Sequence, residues 1–295
     1  MRPPTLFTWR MAKSELDTWL SIQGAAKHDS IEYAKSLMDL PDGTFFLASI
    51  ANQVVGGTAI YKDRTRLAVA LMAARMLPEF RENAQLQLLR SSIPFFRTVV
   101  IHEVDVLVSL EREESPLPFP FNSEVSSSLT PALGSLEFQD VTTALSCTIE
   151  IPTETPAMSD RISWDARSNM EGARDLYWRQ IESSRLDCSQ VTLALEFGAY
   201  RGFLRTLTMG ELTILALGFE LMEDRVVVWP LLADLEHVNP QEIAHEVLSQ
   251  ASDFEVQRVE IPLLGLGQKD IAETVAVLGE GRLRTREIVL MRKQL

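Results

Sequence analysis

The stretch Gly43-Thr44-Phe45-Phe46-Leu47-Ala48-Ser49-Ile50-Ala51-Asn52-Gln53-Val54-Val55-Gly56-Gly57-Thr58-Ala59 has two runs of apolar and β-branched residues around a polar pair. Such runs are typical of strands, and the polar pair Asn52-Gln53 favours a tight turn between them. We therefore predict an antiparallel hairpin with strands at Thr44–Ala51 and Val54–Tyr61. A third strand is predicted over Arg66–Leu77, so the hairpin extends into a three-stranded antiparallel sheet.

The flanking sequence adds a strand and two helices before this sheet and further elements after it. The charged, Pro-rich segment Glu111–Phe121 is predicted to be a loop. Hydrophobic spacing and turn residues predict the other elements of this half: a strand at Thr5–Met11, helices beginning near Ser14 and Asp29, a helix over Asn83–Pro94, a strand over Val99–Leu110, a short helix over Val125–Leu133 and a strand over Val141–Ile151.

The second half repeats this order of elements, and its hairpin residues Phe203-Leu204 match Phe46-Leu47 of the first half. A repeat of half the chain predicts two copies of one fold. Helical spacing favours a helix over Ser189–Tyr200, although a strand over Val191–Leu195 is an alternative. The remaining predictions are strands at Arg161–Trp164, Gly202–Thr208, Glu211–Phe219, Arg225–Ala233, Arg258–Leu264 and Arg284–Arg292, and helices at Asn169–Ser183, Pro240–Phe254 and Lys269–Leu278.

The segment 152–160 contains two prolines, Pro152 and Pro156, and small polar residues, which predicts an extended linker over 153–160. We therefore predict domains at residues 1–152 and 161–295. The fold class is α/β with a mixed sheet, and each domain is expected to have a mostly antiparallel, twisted sheet flanked by helices.

Composition excludes several classes of protein. The chain has 295 residues, of which 46% are hydrophobic and 23% charged, so it can bury a core and is not disordered as a whole. Its formal charge of −13 opposes nucleic-acid binding. Two cysteines are too few for a disulfide framework, and we find no metal motif and no membrane-length apolar stretch. We expect a cytoplasmic protein without a metal, nucleic-acid or membrane partner.

The order of elements resembles the GNAT N-acetyltransferase superfamily, in its tandem two-domain form. The hairpin quoted above resembles the second and third strands of that family, and residues 76–81 resemble the end of the fourth. The resemblance implies a fourth and fifth strand that splay apart around the pantetheine arm of acetyl-CoA or another acyl-CoA. The N-terminus of the following helix would then hold the pyrophosphate.

The resemblance places the coenzyme site of the first half at Met76 and at Arg81-Glu82-Asn83-Ala84-Gln85-Leu86. Against the family motif Arg/Gln-x-x-Gly-x-Gly/Ala, Arg81 fits, Ala84 replaces a glycine and Leu86 is large. The implied coenzyme-binding residues are Met76, Arg81, Asn83, Ala84 and Gln85. The equivalent loop of the second half, 234–242, has no glycine, and Asn239-x-x-Glu242 is a capping box with Pro240 at the first helical position. Both coenzyme loops are therefore degenerate.

The catalytic residues remain unknown at this point. The resemblance calls for a tyrosine in the last helix of each half, and neither predicted helix contains one. Glu79 and Asp234 are the nearest candidates for a general base, but we expect both to be surface carboxylates. Cys147 is expected to be a buried small hydrophobe, and Gly265-Leu266-Gly267 a simple turn. Pro230 within a predicted strand indicates an edge, a bulge or the point where the sheet splays.

The function that follows from the resemblance is acyl transfer from acyl-CoA to a primary amine of a small molecule or a protein. The alternative is a GNAT-fold module that has lost this activity and serves in binding or regulation. The sequence leaves the choice between them, the acceptor and the oligomeric state open.

Overall fold

The computed structural model of the chain describes residues 5–23, 28–96, 101–110, 117–152 and 162–295. The chain forms two compact units. Unit 1 contains Met1–Thr142, Cys188–Leu193 and Ile288–Leu295, and unit 2 contains Thr143–Asp187 and Ala194–Glu287. The predicted linker over 153–160 lies outside the described residues.

Unit 1 is built on a mixed sheet with helices on both faces. Strands β1 to β4 are antiparallel, β4 and β5 run parallel, and the C-terminal part of β12 closes the sheet antiparallel to β5. Its elements are β1 (Phe7–Arg10), α1 (Leu16–Gln23), α2 (His28–Asp39), β2 (Gly43–Ile50), β3 (Gln53–Asp63), β4 (Ala68–Met76), α3 (Arg81–Phe96), β5 (Glu103–Ser109), β6 (Glu124–Val125), α4 (Thr130–Ser135), the first residues of β7 (Gln139–Glu150) and the last of β12 (Arg282–Gln294).

Unit 2 repeats this plan, except that its described residues 162–169 form no initial strand. Strands β8 to β10 are antiparallel, β10 and β11 are parallel, and β7 closes the sheet antiparallel to β11. Its further elements are α5 (Met170–Ser184), α6 (Ser189–Arg201), of which the first turn belongs to unit 1, β8 (Leu204–Met209), β9 (Leu212–Met222), β10 (Arg225–Ala233), α7 (Pro240–Asp253), β11 (Arg258–Gly265) and α8 (Lys269–Leu278).

The predicted hairpin is present in both units. In unit 1, Ala51 and Asn52 have φ values of 48° and 67°, which is the type I′ geometry that matches the twist of a two-residue hairpin. In unit 2 the turn uses Gly210, with φ of 64°, and joins Met209 to its partner Leu212. The helix prediction for 189–200 is also confirmed, and the alternative strand over 191–195 is wrong.

The compact units divide the chain differently from the predicted domains because each sheet is closed by a strand that the sequence assigns to the other domain. Residues 288–294 pair with β5, so the end of the chain belongs to unit 1. Residues 144–150 pair with β11, so most of β7 belongs to unit 2.

Two predicted elements are wrong. Residues 162–164 do not form a strand. Asp165 instead forms hydrogen bonds along the edge of β8. Its amide donates to Thr206 O, and its carboxylate accepts from Thr206 and Thr208. This carboxylate satisfies edge groups that a strand would otherwise pair. The predicted helix 125–133 is divided, because residues 124–125 form β6 and α4 begins only at Thr130.

Candidate functional site

Strands β4 and β5 of unit 1 splay apart after four paired residues. Their parallel pairing begins at Ala68 and Glu103 and ends at Leu71 and Val106. Beyond that pair β4 continues to Met76 and β5 to Ser109. A cleft between the C-terminal ends of these two strands is the geometry predicted from the sequence for a pantetheine arm.

This cleft of unit 1 contains part of the chain itself. One edge of β5 is paired along 103–109 with β12. Strand β6 pairs with β5 in parallel at Leu107 and Val108, and a strand has only two edges, so β6 lies on the edge that faces β4. The backbone groups that would receive a ligand beside β5 are therefore already paired with residues 124–125.

Helix α3 has no phosphate-binding loop before it. A 3-10 turn over Pro78–Phe80 leads directly into the helix at Arg81. The Leu77 amide donates to Val55 O over 2.8 Å, Pro78 has no N–H, and the Phe80 amide donates to Leu77 O over 3.0 Å. The helical turn thus begins before Arg81, and this leaves few of its first amides for an anion.

The cleft of unit 2 is bridged by a side chain. Strands β10 and β11 are paired only at Val226–Val259 and Val227–Glu260. Gln268, just after β11, donates from Nε2 to the carbonyl of Ala233 at the end of β10 over 3.1 Å, and it is 2% exposed. This hydrogen bond joins the two diverging strands where their C-terminal ends lie.

The start of α7 satisfies its own amides, as predicted. Asn239 accepts from the Gln241 amide over 2.9 Å, and Glu242 accepts from the Asn239 amide over 3.0 Å. Pro240 occupies the first turn and has no N–H to offer. The capping box is therefore confirmed.

Asp234 was predicted to be a surface carboxylate, and this is wrong. The residue is 3% exposed and its side chain organises the loop after β10. Its Oδ2 accepts from Arg179 Nη1 over 3.2 Å and lies 3.1 Å from His237 Nδ1, and its Oδ1 accepts from the Glu236 amide. Because Arg179 also donates to Thr213 O, Asp234 links α5 to the end of the sheet. Glu79 is exposed, as predicted.

The comparison with solved structures decides the fold. A putative acetyltransferase from Pyrococcus horikoshii matches with a TM-score of 0.64 and 13% identity, covering 98% of this chain and 89% of the other. A GCN5-related N-acetyltransferase from Sphaerobacter thermophilus matches with a TM-score of 0.56 and 10% identity over 98% and 95%. A tandem GNAT protein from the clavulanic acid biosynthesis pathway matches with a TM-score of 0.59 and 11% identity over 98% of both chains.

The chain has the GNAT fold. Two GNAT-like domains follow one another, as the sequence predicted. No protein-family model matches the sequence, and no curated protein matches it.

The predicted coenzyme-binding residues of the first GNAT-like domain lie in one region. Met76 ends β4, Arg81 and Asn83 are in the first turn of α3, and Gln85 is half-buried in the same helix. Ala84 is fully buried in a small apolar cluster with Met76, Leu88, Ala48 and Val55. The side chains of residues 81–83 lie outside the described part of the structure. Coenzyme binding by this set stays a prediction.

The other residues that the sequence offered as nucleophiles or ligands are buried or closely packed. Cys147 and Cys188 are fully buried, and desolvation raises the pKa of each thiol to about 12, so both are neutral at physiological pH. Residues 265 and 267 lie against the C-terminal end of α5, which identifies the Gly265-Leu266-Gly267 segment as a site of close packing. Over the described ranges we find no group of three metal-ligating side chains and no helix long and apolar enough to cross a membrane.

The sequence did not predict strand β6 or the Gln268 bridge. A signal was available for the first: Phe119-Pro120-Phe121 places two aromatic residues in a segment that otherwise resembles a solvated loop. Large aromatic residues are seldom exposed without a reason. For Gln268 no local pattern distinguishes a buried bridging amide from a surface residue.

Proposed function

We propose that this chain is a GNAT-fold binding module that does not transfer acyl groups from coenzyme A. The observation that carries the proposal is the pairing of β6 with β5 at Leu107 and Val108, on the edge that faces β4. A pantetheine arm adds backbone hydrogen bonds to an open strand, and here that side of the cleft holds the chain's own backbone.

Four further features support the same function. The turn over Pro78–Phe80 leads directly into α3, so residues 81–86 lie within a helix and not in a phosphate-binding loop, and the α7 N-terminus is capped by Asn239 and Glu242. The Gln268 bridge to Ala233 O occupies an acceptor at the cleft of the second domain. Neither α4 nor α8 contains a tyrosine that could protonate a leaving thiolate.

The rival function is acyl transfer from acetyl-CoA or another acyl-CoA to a primary amine of a small molecule or protein. The fold itself favours it, because β4 and β5 splay as a coenzyme cleft requires. Under this rival function Met76 would bond to the pantetheine arm and Arg81 would offset phosphate charge. An Arg81→Ala change would then weaken coenzyme binding by about 1.5–3 kcal/mol.

Titration of the full chain with acetyl-CoA by calorimetry and thermal shift distinguishes the two functions. We expect no binding to the wild type and none to Leu86→Gly, which removes the bulky side chain from the degenerate loop. A ligand at tenfold its dissociation constant would stabilise the fold by about 1.4 kcal/mol. Saturable stabilisation of that size in the wild type, lost in Arg81→Ala, would overturn the proposal.

A further inference from the structure

The chain of unit 1 passes from one face of the sheet to the other through the cleft between β4 and β5. We call residues 117–125 the strap. Its first part lies on the face covered by α1 and α2: the Phe119 ring is 5.2 Å from that of Trp19, and the Phe121 ring is 5.0 Å from that of Tyr33. Phe119 also contacts Phe45 of β2, at 5.9 Å between ring centroids.

The end of the strap lies on the opposite face. Val125 belongs to the apolar cluster formed with α3 and α4, together with Leu89 and Leu133. Phe46, the neighbour of Phe45, is in that same cluster, as expected because successive side chains of a strand point to opposite faces. Between the two faces, Glu124 and Val125 lie at the level of the sheet as β6.

We propose that the β4–β5 cleft of unit 1 is a binding slot for an extended polypeptide, and that the strap is its resident ligand. The inference rests on the proposed function, since it assigns a different ligand class to the cleft that a coenzyme would use. Backbone pairing at Leu107 and Val108 supplies strand addition, and the pockets around Phe119 and Phe121 supply side-chain recognition.

The strap is buried to the degree of a core segment. Phe121 is 2% exposed, Val125 3%, Leu117 5% and Phe119 7%. A lid that opens for a ligand has few buried apolar contacts, whereas the apolar side chains of the strap are buried. The slot is therefore occupied in the folded chain, and a free peptide binds only when the strap is removed.

A shortened chain tests this directly. Because Val108 and Val125 are parallel partners, the chain ends that flank residues 111–126 leave β5 and β6 at the same end of the pair, and a flexible Gly-Ser linker replaces those residues. A synthetic peptide of residues 117–126, Leu-Pro-Phe-Pro-Phe-Asn-Ser-Glu-Val-Ser, is expected to bind this variant one to one by calorimetry and to raise its Tm. The wild type is expected not to bind the peptide and to keep its Tm. A matched peptide with Phe119→Ala and Phe121→Ala should bind at least tenfold more weakly.

A shortened chain that folds, as judged by circular dichroism, but does not bind the peptide would overturn the inference. If it does not fold, hydrogen exchange on the wild type decides: the amides of Glu124 and Val125 should exchange as slowly as those of Leu107 and Val108. Fast exchange there would overturn it as well. Acetyl-CoA binding to the wild type with the strap still protected would refute the proposed function and leave the peptide slot standing.

Discussion

Arg292 in the last strand donates from Nε to Oδ1 of Asp105 over 2.7 Å. Asp105 is completely buried in β5, and its Oδ2 accepts from both the amide and the hydroxyl of Ser189, at 3.0 and 3.2 Å. Nη2 of Arg66 lies 3.7 Å from Oδ2 of the same carboxylate. One carboxylate thus joins β5 to the start of α6 and to the end of the chain, the two distant segments that belong to unit 1.

Replacing Asp105 with alanine is expected to reduce the free energy of unfolding by about 3–5 kcal/mol, because it removes the buried carboxylate that Arg292, Arg66 and Ser189 share and leaves Arg292 with Glu103 at 3.4 Å. Urea denaturation measures the change. The exposed Asp140→Ala variant is the control and should change stability by less than about 0.5 kcal/mol. Equal stabilities for the two variants would refute the structural role of Asp105.

A fragment of residues 1–152 should not form a stable domain, although the sequence predicts it as one. The fragment lacks residues 288–294, the partner of β5, and leaves Asp105 without Ser189 and Arg292. We expect broad, poorly dispersed amide signals by nuclear magnetic resonance and no cooperative thermal transition. Adding the 162–295 fragment in trans should restore a cooperative transition, and independent folding of 1–152 would contradict the unit boundaries.

The Asp63→Asn variant should remove part of the pH dependence of stability. Burial raises the pKa of the Asp63 carboxyl above 3.8, partly offset by hydrogen bonds from the amides of Arg66 and Thr65. A raised folded pKa contributes stability that is fully present below the unfolded pKa and is lost as pH rises through the folded pKa. Asparagine keeps an Oδ1 acceptor for those amides.

We therefore expect the wild type to lose stability relative to Asp63→Asn as pH rises from acidic to neutral. Urea midpoints over that range measure the difference, with the exposed Asp17→Asn variant as control. Parallel curves for wild type and Asp63→Asn would show that Asp63 is not desolvated in the fold.

Gly267→Ala is expected to destabilise unit 2 by about 1–3 kcal/mol, because a Cβ there would meet the backbone carbonyl of Ser183. Gly134→Ala is the matched control: it lies in α4 with nothing within 4 Å of its Cβ, and should stabilise by about 0.5–1 kcal/mol. Thermal denaturation of both variants tests the contrast. A neutral Gly267→Ala would mean that the end of α5 can move away from residue 267.

Elements that depend on residues close together in the chain could be predicted from the sequence. The hairpins follow from runs of strand-forming residues around Asn52 and Gly210, and α8 follows from apolar spacing over Lys269–Leu278. The capping box at Asn239 was predictable because its partners lie within three residues. The GNAT fold could be predicted because the order of such local elements is specific to it.

The segments that occupy the clefts and complete each unit are set by contacts between residues far apart in the sequence. The charge and prolines around the strap indicate solvent, yet Phe119 and Phe121 are buried by residues of α1, α2 and β2 far away in the sequence. Asp234 is buried because Arg179, 55 residues earlier, supplies its counter-charge. The pairing of β5 with the end of the chain depends on contacts across about 190 residues, as between Asp105 and Arg292. Periodicity records which face of an element is apolar but not which distant element covers that face.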